Sequence, residues 1–125
     1  MNKWIIIILI LAISFVFYNN KKEEGYKKMT PVEAKAELEK NKDIILLDVR
    51  TQEEYNENQI EGSKLIPLDV LEDLVEKEIS NKNQKVIVYC RAGNRSKTAV
   101  NILLKMGYKN VYDLGGINSW PYETK

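Results

Sequence analysis

Hydrophobic residues fall along this chain in three patterns, and each predicts a different kind of element. Residues 4–18 form an unbroken apolar run of 15 whose only polar member is Ser14, with Lys3 ahead of it and Asn19, Asn20, Lys21 and Lys22 behind. Short apolar runs of strand length stand at residues 44–47 and 86–89, and such runs suit strands buried on both faces; a last strand is expected at 111–114. Between them the pattern becomes helical. Leu68, Leu71, Leu74, Val75 and Ile79 stand 3, 3, 1 and 4 apart, which is one apolar face of a helix over residues 67–79. Ala99, Val100, Leu103 and Met106 mark a second helix that Gly107 terminates.

Polar residues punctuate these elements. Thr30-Pro31-x-Glu33 is a capping box with proline at the first helical position, and the helix it opens is expected to carry Val32, Ala36 and Leu38 toward a core. Thr51-x-x-Glu54 is a second capping box, opening a short helix that ends near Asn58. Gly115-Gly116 reads as a turn after the last strand, with Trp120 packing back. Fully apolar strands alternating with helices predict an α/β fold, a parallel sheet covered on both faces.

The first 20 residues stand apart. As a helix the apolar run is roughly 22 Å long, and roughly 28 Å if residues 2–20 are included, close to the ~30 Å hydrocarbon layer. The small residues that a signal-peptide cut needs, Ala12 and Ser14, lie inside the run. The expectation is therefore an uncleaved single-pass membrane anchor at residues 1–20, with Trp4 and Tyr18 at the interfaces. A charged tether at 21–28 and a soluble domain at 29–125 complete the expected organisation. Lys3 is balanced by Lys21, Lys22, Lys27 and Lys28 on the other side. A short basic head before the run follows signal-anchor logic, which places the domain on the extracytoplasmic side.

Composition narrows the chemistry. The 125 residues include 19 Lys+Arg, 18 Asp+Glu, no His and one Cys. Setting Lys3 aside leaves 18 against 18, so no charge excess calls for nucleic acid. Without histidine there is no Ser-His-Asp or Cys-His catalysis and no imidazole-held zinc, and one cysteine excludes an intrachain disulfide or a CxxC site. Neither a metal nor a cofactor is expected.

Thiol chemistry must run on Cys90 alone. In an open parallel sheet ligands bind beyond the carboxyl ends of the strands, which is where Cys90 sits after Val86-Ile87-Val88-Tyr89. The turn that follows is Arg91-Ala92-Gly93-Asn94-Arg95-Ser96. With Gly93 at its centre it can aim successive backbone N–H groups inward at the positive end of the next helix, a setting that stabilises a thiolate. Arg91 and Arg95 add two permanent positive charges. An inert buried cysteine would need none of these features. Four residues separate Cys90 from Arg95, whereas cysteine phosphatases have five, so this cradle suits a single sulfur better than a phosphate ester.

The stretch from Cys90 to Ser96 resembles the C-R-x-G-x-R-S/T active-site loop of the rhodanese-like sulfurtransferases. Asp48-Val49-Arg50-x-x-x-Glu54-Tyr55 resembles the family's first motif, Ile60-x-Gly62 with Ile66-Pro67-Leu68 its second, and Leu114-Gly115-Gly116-x-x-x-Trp120 its C-terminal one, in order across residues 29–122. The resemblance implies a five-stranded, mainly parallel sheet flanked by helices. It also implies that Cys90 is a nucleophile that takes sulfane sulfur from thiosulfate or a persulfide and passes it to cyanide or a thiol, a protein thiol included. On that reading Arg91 and Arg95 hold the anionic donor, the amides from Arg91 through Ala92, Gly93, Asn94 and Arg95 to Ser96 surround the sulfur, and Ser96 caps the helix. Asp48 and Arg50 are supporting residues, with Asp48 bonded to Arg95 or the loop. The alternative is a rhodanese module at the membrane that carries sulfur or binds a partner without turning over. The chain departs from the family in having Asn58-Gln59-Ile60 where many relatives have Gly-His-Ile, so local hydrogen bonding there is expected to differ.

Overall fold

The segments 44–47, 86–89 and 111–114 supply the core strands of one sheet. The structure is a computed structural model that describes residues 2–23 and 25–125, with side chains for 2–16 and 25–125. The elements in chain order are α1 (Lys3–Glu23), β1 (Lys27–Lys28), α2 (Pro31–Lys40), β2 (Ile45–Asp48), α3 (Gln52–Glu57), β3 (Lys64–Leu65), α4 (Leu71–Glu78), β4 (Val86–Cys90), α5 (Asn94–Lys105) and β5 (Val111–Gly116). Short 3-10 turns precede α4 (Leu68–Val70) and follow β5 (Ile117–Ser119).

The sheet order is β1-β5-β4-β2-β3, and every pairing is parallel. β4 lies at the centre. Its residues alternate between two buried layers, as a pleated strand requires. Val86, Val88 and Cys90 face α4 and α5, where they meet Leu71, Val75 and Leu103. Ile87 and Tyr89 face the other way, toward Met29, Ala34, Leu114 and Ile117. The path from β2 runs outward to β3, and the path from β4 runs the opposite way to β5. The carboxyl ends of β2 and β4 therefore flank the switch point where such sheets open a crevice.

Both capping boxes form: Thr30 with Glu33, and Thr51 with Glu54, each have the hydroxyl on the backbone N–H and the carboxylate reaching back. Several expectations are corrected. Val32 and Ala36 are exposed and Ala34 is the buried residue of α2, because the helix axis puts position 34 rather than 32 against the sheet. Leu74 is exposed on α4 while Leu71 and Val75 are buried. The expected tether contributes structure: Lys27 and Lys28 pair with Tyr112 and Asp113 as an edge strand. The Tyr18 and 21–24 side chains lie outside the described residues. From Lys3 to Val16 the helix exposes Trp4, Ile8, Leu11 and Phe15. Among the described residues no helix is long and apolar enough to cross a membrane.

Gly115 and Gly116 are not a turn. They continue β5, with a register irregularity opposite Val88 and Tyr89 that lets Gly116 pair with Cys90. A Cβ on Gly116 would lie 2.2 Å from the Arg91 carbonyl oxygen and 2.8 Å from Ala92 Cα, so only glycine lets the loop after β4 fold back on β5. The Arg91 carbonyl is then held by the Asn118 N–H at 3.1 Å. Gly116→Ala is expected to displace that loop and cost about 1–3 kcal/mol, read as a lower urea midpoint; an unchanged midpoint would mean the loop is not seated as described.

Candidate active site

Cys90 ends β4 and is almost fully buried, with its thiol unpaired to any other cysteine. The Gly93 N–H points at Cys90 Sγ with N···S 3.0 Å. That contact depends on Gly93 at φ +110°, ψ −11°, a left-handed conformation that favours glycine. It turns the chain within three residues from strand to the start of α5. The opening amides of α5, at Asn94, Arg95 and Ser96, have no intrahelical acceptor. Ser96, expected as a cap, works the other way: its buried hydroxyl donates to the Gly93 carbonyl at 3.0 Å and so locks the turn. Arg91, Ala92 and Asn94 are exposed on the loop.

The expected Asp48–Arg95 bond is absent. Asp48 accepts instead from Arg50, Nε at 3.0 Å and Nη2 at 2.7 Å, and from the Arg50 backbone N–H at 2.9 Å. Both side chains are buried. Arg50 also donates to the Asn58 carbonyl at 2.7 Å and lies over the Tyr89 ring at 5.6 Å. The short distance from residue 48 to 50 explains the choice: the two project from the same strand end, and a buried guanidinium needs a carboxylate beside it. In the segment that lacks the family histidine, the Tyr89 hydroxyl accepts from the Ile60 N–H and donates to Ser63 Oγ. Burial first, then Asp48, holds Tyr89 up at about 12, so it stays protonated.

Arg95 is taken by Glu54. The pair is bidentate, Nη1 to Oε1 at 2.7 Å and Nη2 to Oε2 at 3.0 Å. Arg91 Nε lies 3.5 Å from the same carboxylate and its Nη2 3.9 Å from Glu57. Glu54, which the sequence offers as a helix cap and as a member of the first motif, is thus the acid that ties α3 to the cysteine loop across the β2–β4 crevice. Its position in the first turn after a strand next to β4 was the available signal. Gly116 was the other residue missed, hidden because Gly-Gly after a strand reads as a turn.

Residues 30–122 match the rhodanese-like domain family. The chain belongs to that family. It is 36% identical over 96 residues to a thiosulfate sulfurtransferase, GlpE, of Coxiella burnetii, covering 76% of this chain and 87% of the relative. It is 38% identical over 71 residues to the thiosulfate sulfurtransferase PspE of Escherichia coli, 57% of this chain and 68% of that one. Among solved structures, a rhodanese-like domain from Anabaena superposes with a TM-score of 0.72 at 27% identity, over 78% of this chain and 77% of that one. A rhodanese with anions from E. coli gives 0.62 at 33% identity, over 66% and 96%.

Arg95's hydrogen bonds pull Glu54 down to about 2 against the opposing effect of burial, with Thr51 assisting, and Glu54 in turn raises Arg95. A carboxylate depressed in the folded state adds stability that is present above its ordinary value of 4.5 and is lost as pH falls toward about 2. Glu54→Gln is therefore expected to be less stable than the parent at pH 7, with the gap closing between pH 5 and pH 2. Urea unfolding across that range measures it, and a gap independent of pH would contradict the ion pair.

Proposed function

We propose that this rhodanese-like sulfurtransferase carries sulfane sulfur on Cys90, taking it from thiosulfate or a persulfide donor and handing it to cyanide or a thiol. The observation that carries the reading is the Gly93 N–H at 3.0 Å from a buried sulfur at the switch point of the sheet. Cys90 thiolate attacks the outer sulfur of thiosulfate. A new S–S bond forms, the old one breaks, and sulfite leaves with the electron pair. The acceptor then attacks the outer sulfur of the persulfide and Cys90 departs as thiolate, so no external oxidant or reductant is needed.

The chain's residues divide this work. The Gly93 amide and the opening amides of α5 stabilise negative charge, first on Sγ and then on the terminal sulfur. Arg91 and Arg95 supply the cationic rim, with Glu54 fixing their positions. The Asp48–Arg50 pair holds the end of β2 against Asn58, which keeps the α3 side of the crevice in register.

Thiocyanate formation from thiosulfate and cyanide by the full chain in detergent is expected to be abolished in Cys90→Ser, since a hydroxyl cannot form the persulfide. A single burst of one sulfur per chain, without turnover, would favour a carrier that needs a partner. Equal activity in the variant would remove Cys90 from the chemistry.

We propose further that residues 4–18 attach the domain to a membrane on its extracytoplasmic side, a reading supported by the exposed apolar surface of α1 and by Lys3 ahead of it. Protease added to right-side-out spheroplasts is expected to digest the domain. Protection there, or recovery of the chain in the soluble fraction, would overturn it.

A further inference from the structure

Because every strand pairing is parallel, the connections leading into β2, β4 and β5 converge on one end of the sheet, beside Ile45, Val86 and Val111. The Cys90 loop leaves from the other end, about 13 Å away along β4. The chain also enters the domain at the first end. Gly25 lies against Leu104 near the close of α5, where an added Cβ would stand 3.4 Å from the Leu104 side chain. Tyr26 packs on the core and donates its hydroxyl to Asp113, and Lys27 pairs with Tyr112 as β1 opens.

The two ends differ in free charge. Around the first end most acids are committed: Glu37 to Lys85, Glu39 to Lys35, Glu76 to Lys82 and Glu78 to Lys64. Asp43 and Glu123 are the exposed acids left there without a cation. Against them stand Lys27, Lys40, Lys42, Lys105 and Lys109, all exposed and, among the described residues, without an ion-pair partner. The Cys90 end has the opposite balance. Its arginines lie against Glu54 and Glu57. Among its exposed groups outside any ion pair, Glu33, Glu53, Asp69, Glu72 and Asp73 outnumber Lys28 and Lys97.

We propose that the end carrying Lys40, Lys42, Lys105 and Lys109 rests on a bilayer bearing anionic lipid headgroups, with the Cys90 loop turned away from it. The inference rests on the membrane reading of residues 4–18. Tyr18 closes the apolar run and Gly25 follows seven positions later, a span of at most about 25 Å even when fully extended. Since Gly25, Tyr26 and Lys27 are built into the domain, they add no slack, and the basic end is the one held near the surface. An anionic surface attracts that end and repels the acidic one, so charge and tether select the same orientation. Nucleic acid offers the same phosphate chemistry, but nothing in the chain brings it to these lysines. In the proposed orientation Cys90 meets donors and acceptors from solution rather than from the bilayer.

The test uses the full chain reconstituted in vesicles of phosphatidylcholine, alone or mixed with phosphatidylglycerol, and an impermeant amine reagent read by peptide mapping. Labelling of Lys40, Lys42, Lys105 and Lys109 is expected to be about threefold lower in the phosphatidylglycerol vesicles, with Lys97 unchanged. Added salt is expected to narrow that difference. Equal labelling of the four lysines in both vesicle types would overturn the proposal, and so would matching protection of Lys97. Protection of the same lysines by a DNA oligonucleotide in detergent, with none from vesicles, would assign the face to nucleic acid instead. A chain that fails to associate with vesicles of either composition would bring down the membrane reading, and this one with it.

Discussion

With no histidine in the chain, the Cys90 sulfur has no imidazole beside it, and it is held by backbone instead. The Gly93 N–H on Cys90 Sγ depends on a left-handed glycine, a strand that ends three residues earlier, and a helix that begins one residue later. Each of those is secured from a different direction. Ser96 ties the Gly93 carbonyl from inside α5, and Gly116 lets the Arg91 carbonyl settle onto β5. Buried packing of Val86, Val88 and Cys90 against α5 keeps strand and helix together. The arrangement around Cys90 is in this sense a consequence of how β4 leaves the sheet.

The electrostatics add a second layer. Four charged side chains around the crevice are committed to one another: Asp48 with Arg50, and Arg95 with Glu54. The first pair is fully buried and fixes the end of β2, where an uncompensated charge would be costly. The second bridges α3 and α5 across the crevice, so the arginine rim is positioned rather than free.

Much of this was legible from residue order, because it depends on local rules. Apolar runs marked β2 and β4, and the two capping boxes placed the starts of α2 and α3. The Cys-Arg-x-Gly-x-Arg-Ser spacing located the loop. What was not legible depends on pairings between distant segments. Glu54 caps its own helix, so nothing local shows that its carboxylate also grips Arg95, 41 positions away. Gly116 resembles a turn residue until β5 is seen to run beside Cys90. Lys27 and Lys28 look like linker because a two-residue edge strand has no periodicity to read. Val32 and Ala36 misled for a related reason: apolar residues at 32, 34, 36 and 38 stand two apart on a ten-residue helix and do not fix which face meets the sheet.

The central claim is that Cys90 itself carries the sulfur within this loop. Intact-mass analysis of the full chain after exposure to thiosulfate, followed by peptide mapping, tests it most directly. The account predicts the mass of one added sulfur atom, located on the peptide containing Cys90 and removed when cyanide is supplied. A chain that forms thiocyanate while Cys90 remains unmodified, or that carries its added sulfur elsewhere, would contradict it.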